Sequence, residues 1–468
     1  MCAICLIAAG VAGHRRTSQA LGALIVLLLA TFVVTATAGD GTTILILSTS
    51  LLLLLPSNQV FAPLGGAGTP AAILALFGGW LWAVGACVRS ADSACGPQPI
   101  RYAALCFLAA IVASFVAASL RGLDPLEARA ADRGFVVAVT AVAYALLAAD
   151  TIRSRERLTA LVRALVVGGC GLAVIGILQF TLSLDVTTTL RVPGLSVEDS
   201  KYEAITSRSE FNRVAGTTFH PIEFSAVLTM LIPLALHLTY AAPPGRRRRW
   251  WVATGIIAAA IPMSVSRTGT VGVVAVALIL FPSWTGRRRR QAIWATVLFA
   301  IGMKAFIPGL LGTLRALFFS FGVDPSVTAR RIDYGFVVSF ISERPWFGRG
   351  FGTFLPGRYD FLDNQFLLSL VETGVVGLLA TIALFAVGMG CARGLRRRSD
   401  DPVTRDLAIS LFAGIVVALI TFATFDFLSF PTARSVAFIL LGCIGALWRL
   451  ERLASPEHSR TGLSGVTA

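Results

Sequence analysis

The chain reads as an all-α polytopic membrane protein of about 12 transmembrane helices with large extracytoplasmic loops, and three observations predict it. Its 468 residues are 56% hydrophobic and 14% charged, whereas a soluble domain carries about 25% charged residues. The mean hydropathy is +0.77. Apolar runs of about 20 residues, long enough to cross a hydrocarbon core as helix, recur along it. Open sheet and irregular chain are excluded as crossing elements, because lipid would leave their backbone polar groups without partners.

Spans are expected near 20–38, 70–88, 101–119, 134–150, 157–180, 221–240, 250–265, 268–284, 291–311, 365–391, 406–428 and 434–449. Orientation follows from RRRR at 246–249, RRRR at 287–290 and RGLRRR at 393–398. Short arginine-rich loops stay cytoplasmic, and the clusters agree because two spans separate each neighbouring pair. On that orientation 181–220 and 312–364 are extracytoplasmic loops and the turn at 265–268 lies on the same side. The run ILILSTSLLLLLP at 44–56 is short for a span and reads as re-entrant or interfacial. That reading puts both termini inside; a crossing there would add a thirteenth span and put the N-terminus outside. One transmembrane domain over 1–454 and a disordered cytoplasmic tail at 455–468 are expected.

The net charge of +15 would suggest nucleic acid in a soluble chain. Here the basic residues sit in short clusters between apolar runs, where they set topology and touch anionic headgroups. Membrane lipids are therefore expected partners and nucleic acid is not. The basic residues are Arg except Lys201 and Lys304, which with abundant Ala and Gly points to a GC-rich bacterial genome. Eight cysteines lie in spans or beside them, so neither a disulfide framework nor a metal site is expected. No cleavable leader is expected, since the run after His14, Arg15 and Arg16 lacks a small-residue cleavage site.

Three polar stretches converge on the outer face: FNRVAGTTFHPIEFSAVL from 211, PMSVSRTGTVGV from 262, and a long loop holding TARRIDYGF, SERPWFGRGFGTF and DNQF. Arg267 stands at the outer end of a helical hairpin, where an arginine costs about 2.5–3.5 kcal/mol at membrane depth. It either snorkels to the interface or clamps an anion, since guanidinium pairs with phosphate through two parallel hydrogen bonds. Arg213, Arg330 and Arg331 join it on the face where positive charge is disfavoured, and a diphosphate near the headgroups is their natural partner. Glu223 stands where the helix dipole favours a carboxylate, and His220 reads as bonding a loop. Asp363 and Asn364 read as a helix N-cap, or Asp363 as a general base. Glu372 belongs to a polar bundle interior or to the same pocket. Trp346, Phe347, Phe351 and Phe354 offer faces for sugar stacking or for packing the loop onto the membrane.

The pattern resembles the O-antigen ligase and O-antigen polymerase superfamily. The resemblance rests on RVAGTTFHP before a span, SVSRTG in a hairpin turn, and RRIDYGFVVSFISERPWFGRGFGTF followed by DNQFLLSLVETGVVG, and it covers roughly 200–390. It implies a C-type glycosyltransferase-like fold in the bacterial plasma membrane, with an extracytoplasmic active site for surface polysaccharide assembly. The donor would be a glycan on a polyprenyl (undecaprenyl) diphosphate, and the acceptor a sugar hydroxyl of a glycan or glycolipid. Transfer would be inverting and metal-independent, with no cofactor. Arginines matching Arg213 and Arg267 would hold the diphosphate, with Arg330 or Arg331 assisting. Relatives usually place His before Asn to activate the acceptor; this chain has Asp363 before Asn364. It also has HPIEF where many relatives carry Pro-Asn, which brings in His220 and Glu223 as proton handlers. A repeat-unit polymerase of the same superfamily is an alternative. A lipid-linked oligosaccharide flippase is another, against which no inverted repeat or matching pair of broken spans is visible.

Overall fold

A computed structural model describes residues 41–88, 97–183, 187, 192–198, 205–208, 211–310, 312, 313, 315, 335, 337–359 and 361–454. The expected span at 20–38, Arg330, Arg331 and the tail at 455–468 lie outside the described residues. The helices are α1 (Gly41–Leu54), α2 (Pro70–Val88), α3 (Pro99–Leu120), α4 (Pro125–Thr151), α5 (Arg155–Leu182) and α6 (Pro221–Ala241). They continue as α7 (Pro244–Met263), α8 (Arg267–Leu280), α9 (Gly286–Phe306), α10 (Gln365–Arg398), α11 (Pro402–Thr421) and α12 (Pro431–Ala454). Seven of them, α3 to α6 and α10 to α12, are long and apolar enough to cross a membrane, and shorter apolar helices accompany them. Two ribbons lie among the connections: β1 (Gln59–Val60) pairs antiparallel with β2 (Ser196–Val197), and β3 (Ile205–Arg208) with β4 (Phe211–Val214). The chain is thus helical throughout its bundle, with strands confined to loops.

The two ends of the bundle differ in chemistry. At the arginine-rich end, Asp406 of α11 lies 2.8 Å from His237 Nδ1 and accepts Arg288 Nη1 at 2.6 Å. Asp150 accepts Arg101 at 2.8 and 2.9 Å and the Trp82 indole N–H at 2.9 Å, and Arg155 pairs with Glu451. The opposite, loop end gathers the ribbons and the described residues among 345–364, which lead into α10.

Between the ends, α12 is the axis. Its residues from 432 to 447 are all buried, as expected of a helix that is apolar around its circumference. Its first turn is secured by a residue from another helix. Glu223 of α6 is fully buried, and its Oε1 accepts the Thr432 and Ala433 N–H groups at 2.7 and 3.0 Å while Oε2 accepts Phe219 N–H at 2.8 Å. Helix N-termini leave such donors without intrahelical partners, and a carboxylate there also meets the positive end of the helix dipole.

The segment at 44–56, expected to be re-entrant or interfacial, forms α1, whose two ends bond to opposite ends of the bundle. Thr42 Oγ1 donates to the Thr151 carbonyl at 3.3 Å at the arginine-rich end, and the Leu53 carbonyl accepts Thr217 Oγ1 at 2.7 Å at the loop end. Fourteen residues of helix rise only about 21 Å, short of a hydrocarbon core. Protein rather than lipid surrounds much of α1, so its polar atoms find partners: Ser48 Oγ reaches the Ala71 carbonyl and Tyr144 OH, each at 2.7 Å.

The most consequential departure from regular helix is in α10. Gly374 has φ +65° and ψ −169°, a conformation essentially reserved for glycine, and it divides the helix. The groups freed by the break are taken by the Pro345–Gly350 segment of the long loop. Arg349 N–H donates to the Val371 carbonyl at 2.9 Å and Gly350 N–H to the Glu372 carbonyl at 2.8 Å. In the other direction Val375 N–H donates to the Pro345 carbonyl at 2.8 Å and Val376 N–H to the Trp346 carbonyl at 3.2 Å. Ser114 of α3 adds a bond to the Glu372 carbonyl at 2.9 Å. The contact is so close that a Cβ at Gly348 would sit 2.3 Å from the Glu372 carbonyl carbon, and one at Gly374 2.4 Å from that of Trp346.

Two outcomes follow for stability. Gly374→Ala meets both the forbidden backbone, about 1–3 kcal/mol by itself, and the collision with Trp346, so folded protein recovered in detergent should fall severalfold. Glu223→Ala leaves the Thr432 and Ala433 N–H groups buried without acceptors, at about 1–3 kcal/mol each. A thermal melt should show a large drop for Glu223→Ala and a smaller one for Glu223→Gln.

Candidate functional site

The loop between α11 and α12 is short and heavily fastened. Gln365, the first residue of α10, donates its N–H to the Phe422 carbonyl at 2.7 Å, and its Oε1 accepts Leu428 N–H at 2.7 Å. Arg434 Nη1 donates to the Leu428 carbonyl. Phe422, Phe425, Phe427 and Phe430 pack on one another with ring centroids 4.9–5.4 Å apart. This frame holds Asp426, which retains partial exposure to the space beneath it.

That space is a cavity of about 570 Å³ at the loop end. One wall is α4, through Arg129, Arg133 and Gly134; another is the loop from Phe351 to Pro356 with Asp363 and Glu372; the third is Asp426 and Arg434. Asp363 and Asp426 therefore face one chamber, with Glu372 and Glu198 also in its lining. Burial lifts the Asp426 carboxyl to about 7, and the charges of Asp363 and Glu223 push the same way. A carboxyl so poised can take and return a proton near neutrality. Glu372 turns an oxygen to Phe354 N–H at 3.1 Å and so anchors the wall that Phe351 and Phe354 form.

The residues singled out in the sequence fall into two groups. Asp363 and Glu372 line the cavity, and Asn364 beside them caps α10, its Oδ1 accepting Phe366 and Leu367 N–H groups at 3.0 and 3.3 Å. Arg213, Arg267, His220 and Glu223 lie outside the cavity lining. Arg213 Nε donates to the Ser264 carbonyl at 3.2 Å, in the same α7–α8 turn that carries Arg267. Val265 in that turn is buried with φ +47°, a strained conformation for a β-branched residue. The two groups adjoin at the α11–α12 loop: Thr268 Oγ1 donates to Thr424 Oγ1 at 3.1 Å, and the His220 ring lies 6.2 Å from that of Phe430.

His220 caps α6, its Nδ1 accepting Ile222 N–H at 3.2 Å. Burial, with the nearby Arg213 charge, lowers its pKa to about 4, so the ring is neutral near pH 7. Glu223 has both oxygens committed to backbone donors, as described above.

Asp426, Arg434, Arg129 and Arg133 were not singled out in the sequence. Arg434 carried the same signal as Arg267, an arginine at the start of an apolar run. Arg129 and Arg133 are four residues apart, hence on one face of α4. Asp426 is an acid set among phenylalanines inside the expected span 406–428, but the helix there ends at Thr421 and leaves it in a loop.

A comparison with curated proteins gives no match. The family model described as O-antigen ligase matches residues 252–382. This stretch holds the Arg267 turn, the Pro345–Gly350 segment, Asp363 and the interruption of α10. Over those residues the chain is similar to the O-antigen ligase family, and that similarity supports an O-antigen ligase-like membrane enzyme of surface polysaccharide assembly.

Proposed function

We propose that the protein transfers a glycan from a polyprenyl-diphosphate carrier to an acceptor sugar hydroxyl, at a loop end that faces out of the bacterial plasma membrane. The observation that carries this reading is the adjacency of two unlike places across one short loop. On one side Arg213 donates to the Ser264 carbonyl in the turn that carries Arg267, which brings two arginines to one turn; on the other a chamber presents Asp363 and Asp426. The sidedness rests on the arginine clusters at the far end.

In this scheme the carrier diphosphate lies against Arg213 and Arg267, with its lipid in the bilayer. The acceptor sugar enters the chamber, and its hydroxyl gives a proton to the Asp363–Asp426 pair, of which Asp426 is the better matched to neutral pH. The oxygen forms a bond to the anomeric carbon from the face opposite the phosphate, and the bond from that carbon to the phosphate oxygen breaks. The anomer is inverted, and the charge that develops on the diphosphate is met by guanidinium already in position. Neutral His220 and backbone-bonded Glu223 shape this wall and its electrostatics. Joining repeat units and attaching a finished glycan use the same chemistry, and the nature of the product distinguishes them.

Purified protein given a polyprenyl-diphosphate-linked glycan and acceptor should form product without an ion gradient, which a flippase would not. Arg267→Ala should cut turnover at least 100-fold while inserting normally; wild-type turnover would remove the clamp. The rate should rise with pH through about 7 as Asp426 loses its proton, and Asp426→Asn should lose about 10²–10⁴-fold. The sign of the stability effect is opposite. A carboxyl raised on folding contributes stability that is full below its unfolded pKa and lost as pH rises through its folded one. Asp426→Asn should therefore melt higher than the parent at pH 8, by roughly 1.4 kcal/mol for each unit the group is raised, and the advantage should vanish in acid.

A further inference from the structure

We infer that the chamber takes an acceptor glycan bearing an anionic group, a uronate carboxylate, seated against Arg434, Arg129 and Arg133. The inference rests on the proposed function, since it names the acceptor class for that same chamber.

Arg434 is the first ground. It is 6% exposed, its Nη1 is given to the Leu428 carbonyl, and its Nε is buried without a hydrogen-bond partner. It makes no ion pair within 4.0 Å among the described residues, and the carboxylate nearest in charge, Glu223, already serves three backbone donors. A buried guanidinium left with spare donors at a cavity wall is costly unless an anion completes it.

The second ground is α4. Arg129 and Arg133 are like charges one turn apart, an arrangement that destabilises a helix by itself. Arg129 Nε donates only to its own helix, to the Pro125 carbonyl at 3.1 Å. Arg133 meets Glu198 at 3.9 Å in a pair whose side chains are 57% and 34% exposed, a loose contact that a ligand can replace. A planar carboxylate suits such donors, because guanidinium binds it through two parallel hydrogen bonds.

The third ground is the rest of the lining. Asp363 and Asp426 are acceptors for hydroxyl groups, and Phe351, Phe354 and Phe430 supply apolar faces. A sugar that carries both hydroxyls and a carboxylate fits a lining of this mixed chemistry. The carrier diphosphate is also an anion, but its lipid must remain in the bilayer and the Arg213–Arg267 turn provides for it separately.

The test measures binding to the full chain in detergent with three probes: a trigalacturonate, the same oligosaccharide fully methyl-esterified, and inorganic diphosphate. The trigalacturonate should bind at least tenfold tighter than its ester. The double variant Arg129→Gln with Arg133→Gln should lose most of that preference while keeping diphosphate binding, and Arg434→Gln should do the same if it folds. Arg267→Ala should show the converse. Equal binding of acid and ester would overturn the inference. So would a double variant that loses diphosphate binding instead, which would give the chamber to the carrier. Full transfer by Arg267→Ala with uronate preference intact would strike the carrier clamp alone and leave the anionic acceptor standing.

Discussion

The site depends on one backbone pairing inside the membrane domain. Helix α10 is interrupted at Gly374, and the carbonyl and N–H groups released there are bonded by Pro345, Trp346, Arg349 and Gly350. Apolar surroundings offer no water to take their place, so broken helix is tolerated only where protein supplies the missing partners. The loop is held as firmly as a strand in a sheet, and it delivers Phe351 and Phe354 to the cavity wall. Arg349 extends the hold outward: its carbonyl accepts Arg121 Nε at 3.0 Å, and its Nη2 donates to Tyr359 OH at 2.8 Å. The glycines of the motif are there for close approach, and its arginine for bracing.

A second fastening sets the other wall. Gln365 and Glu223 tie the α11–α12 loop to α10 and α6, so Asp426 is carried on a frame with little freedom. Precise placement of this kind is what proton transfer to a weak base requires. The two carboxyls also differ in setting: Asp363 stands at the mouth of α10, next to the Asn364 cap, whereas Asp426 has lost most of its water. Burial raises the more enclosed Asp426, and the Asp363 charge pushes the same way.

Much of the architecture was legible in the chain because its causes are local. Apolar length identified the principal spans, and the arginine clusters marked one end of the bundle as chemically distinct. The preference of Asn for helix starts anticipated Asn364 as a cap. What escaped has non-local causes. The packing of the short α1 escaped because apolar length measures fit to lipid, and this helix is fitted to protein. The break at Gly374 lay in an otherwise continuous apolar run, and its meaning appears only with the partner segment at Pro345–Gly350. Asp426 owes its raised pKa first to burial in a frame built from residues distant in sequence, with the charges of Asp363 and Glu223 adding to it. Glu223, which suggested proton handling, is found with both oxygens on backbone donors of two elements.

The pairing across α10 can be tested by amide hydrogen exchange on the full chain in detergent. The N–H groups of Arg349, Gly350, Val375 and Val376 should be protected to the level of the bundle core, although the first two belong to a loop and the others adjoin a helix break. Exchange of these four amides as fast as that of exposed loop positions would mean that the break is open, and the cavity wall would lose its support.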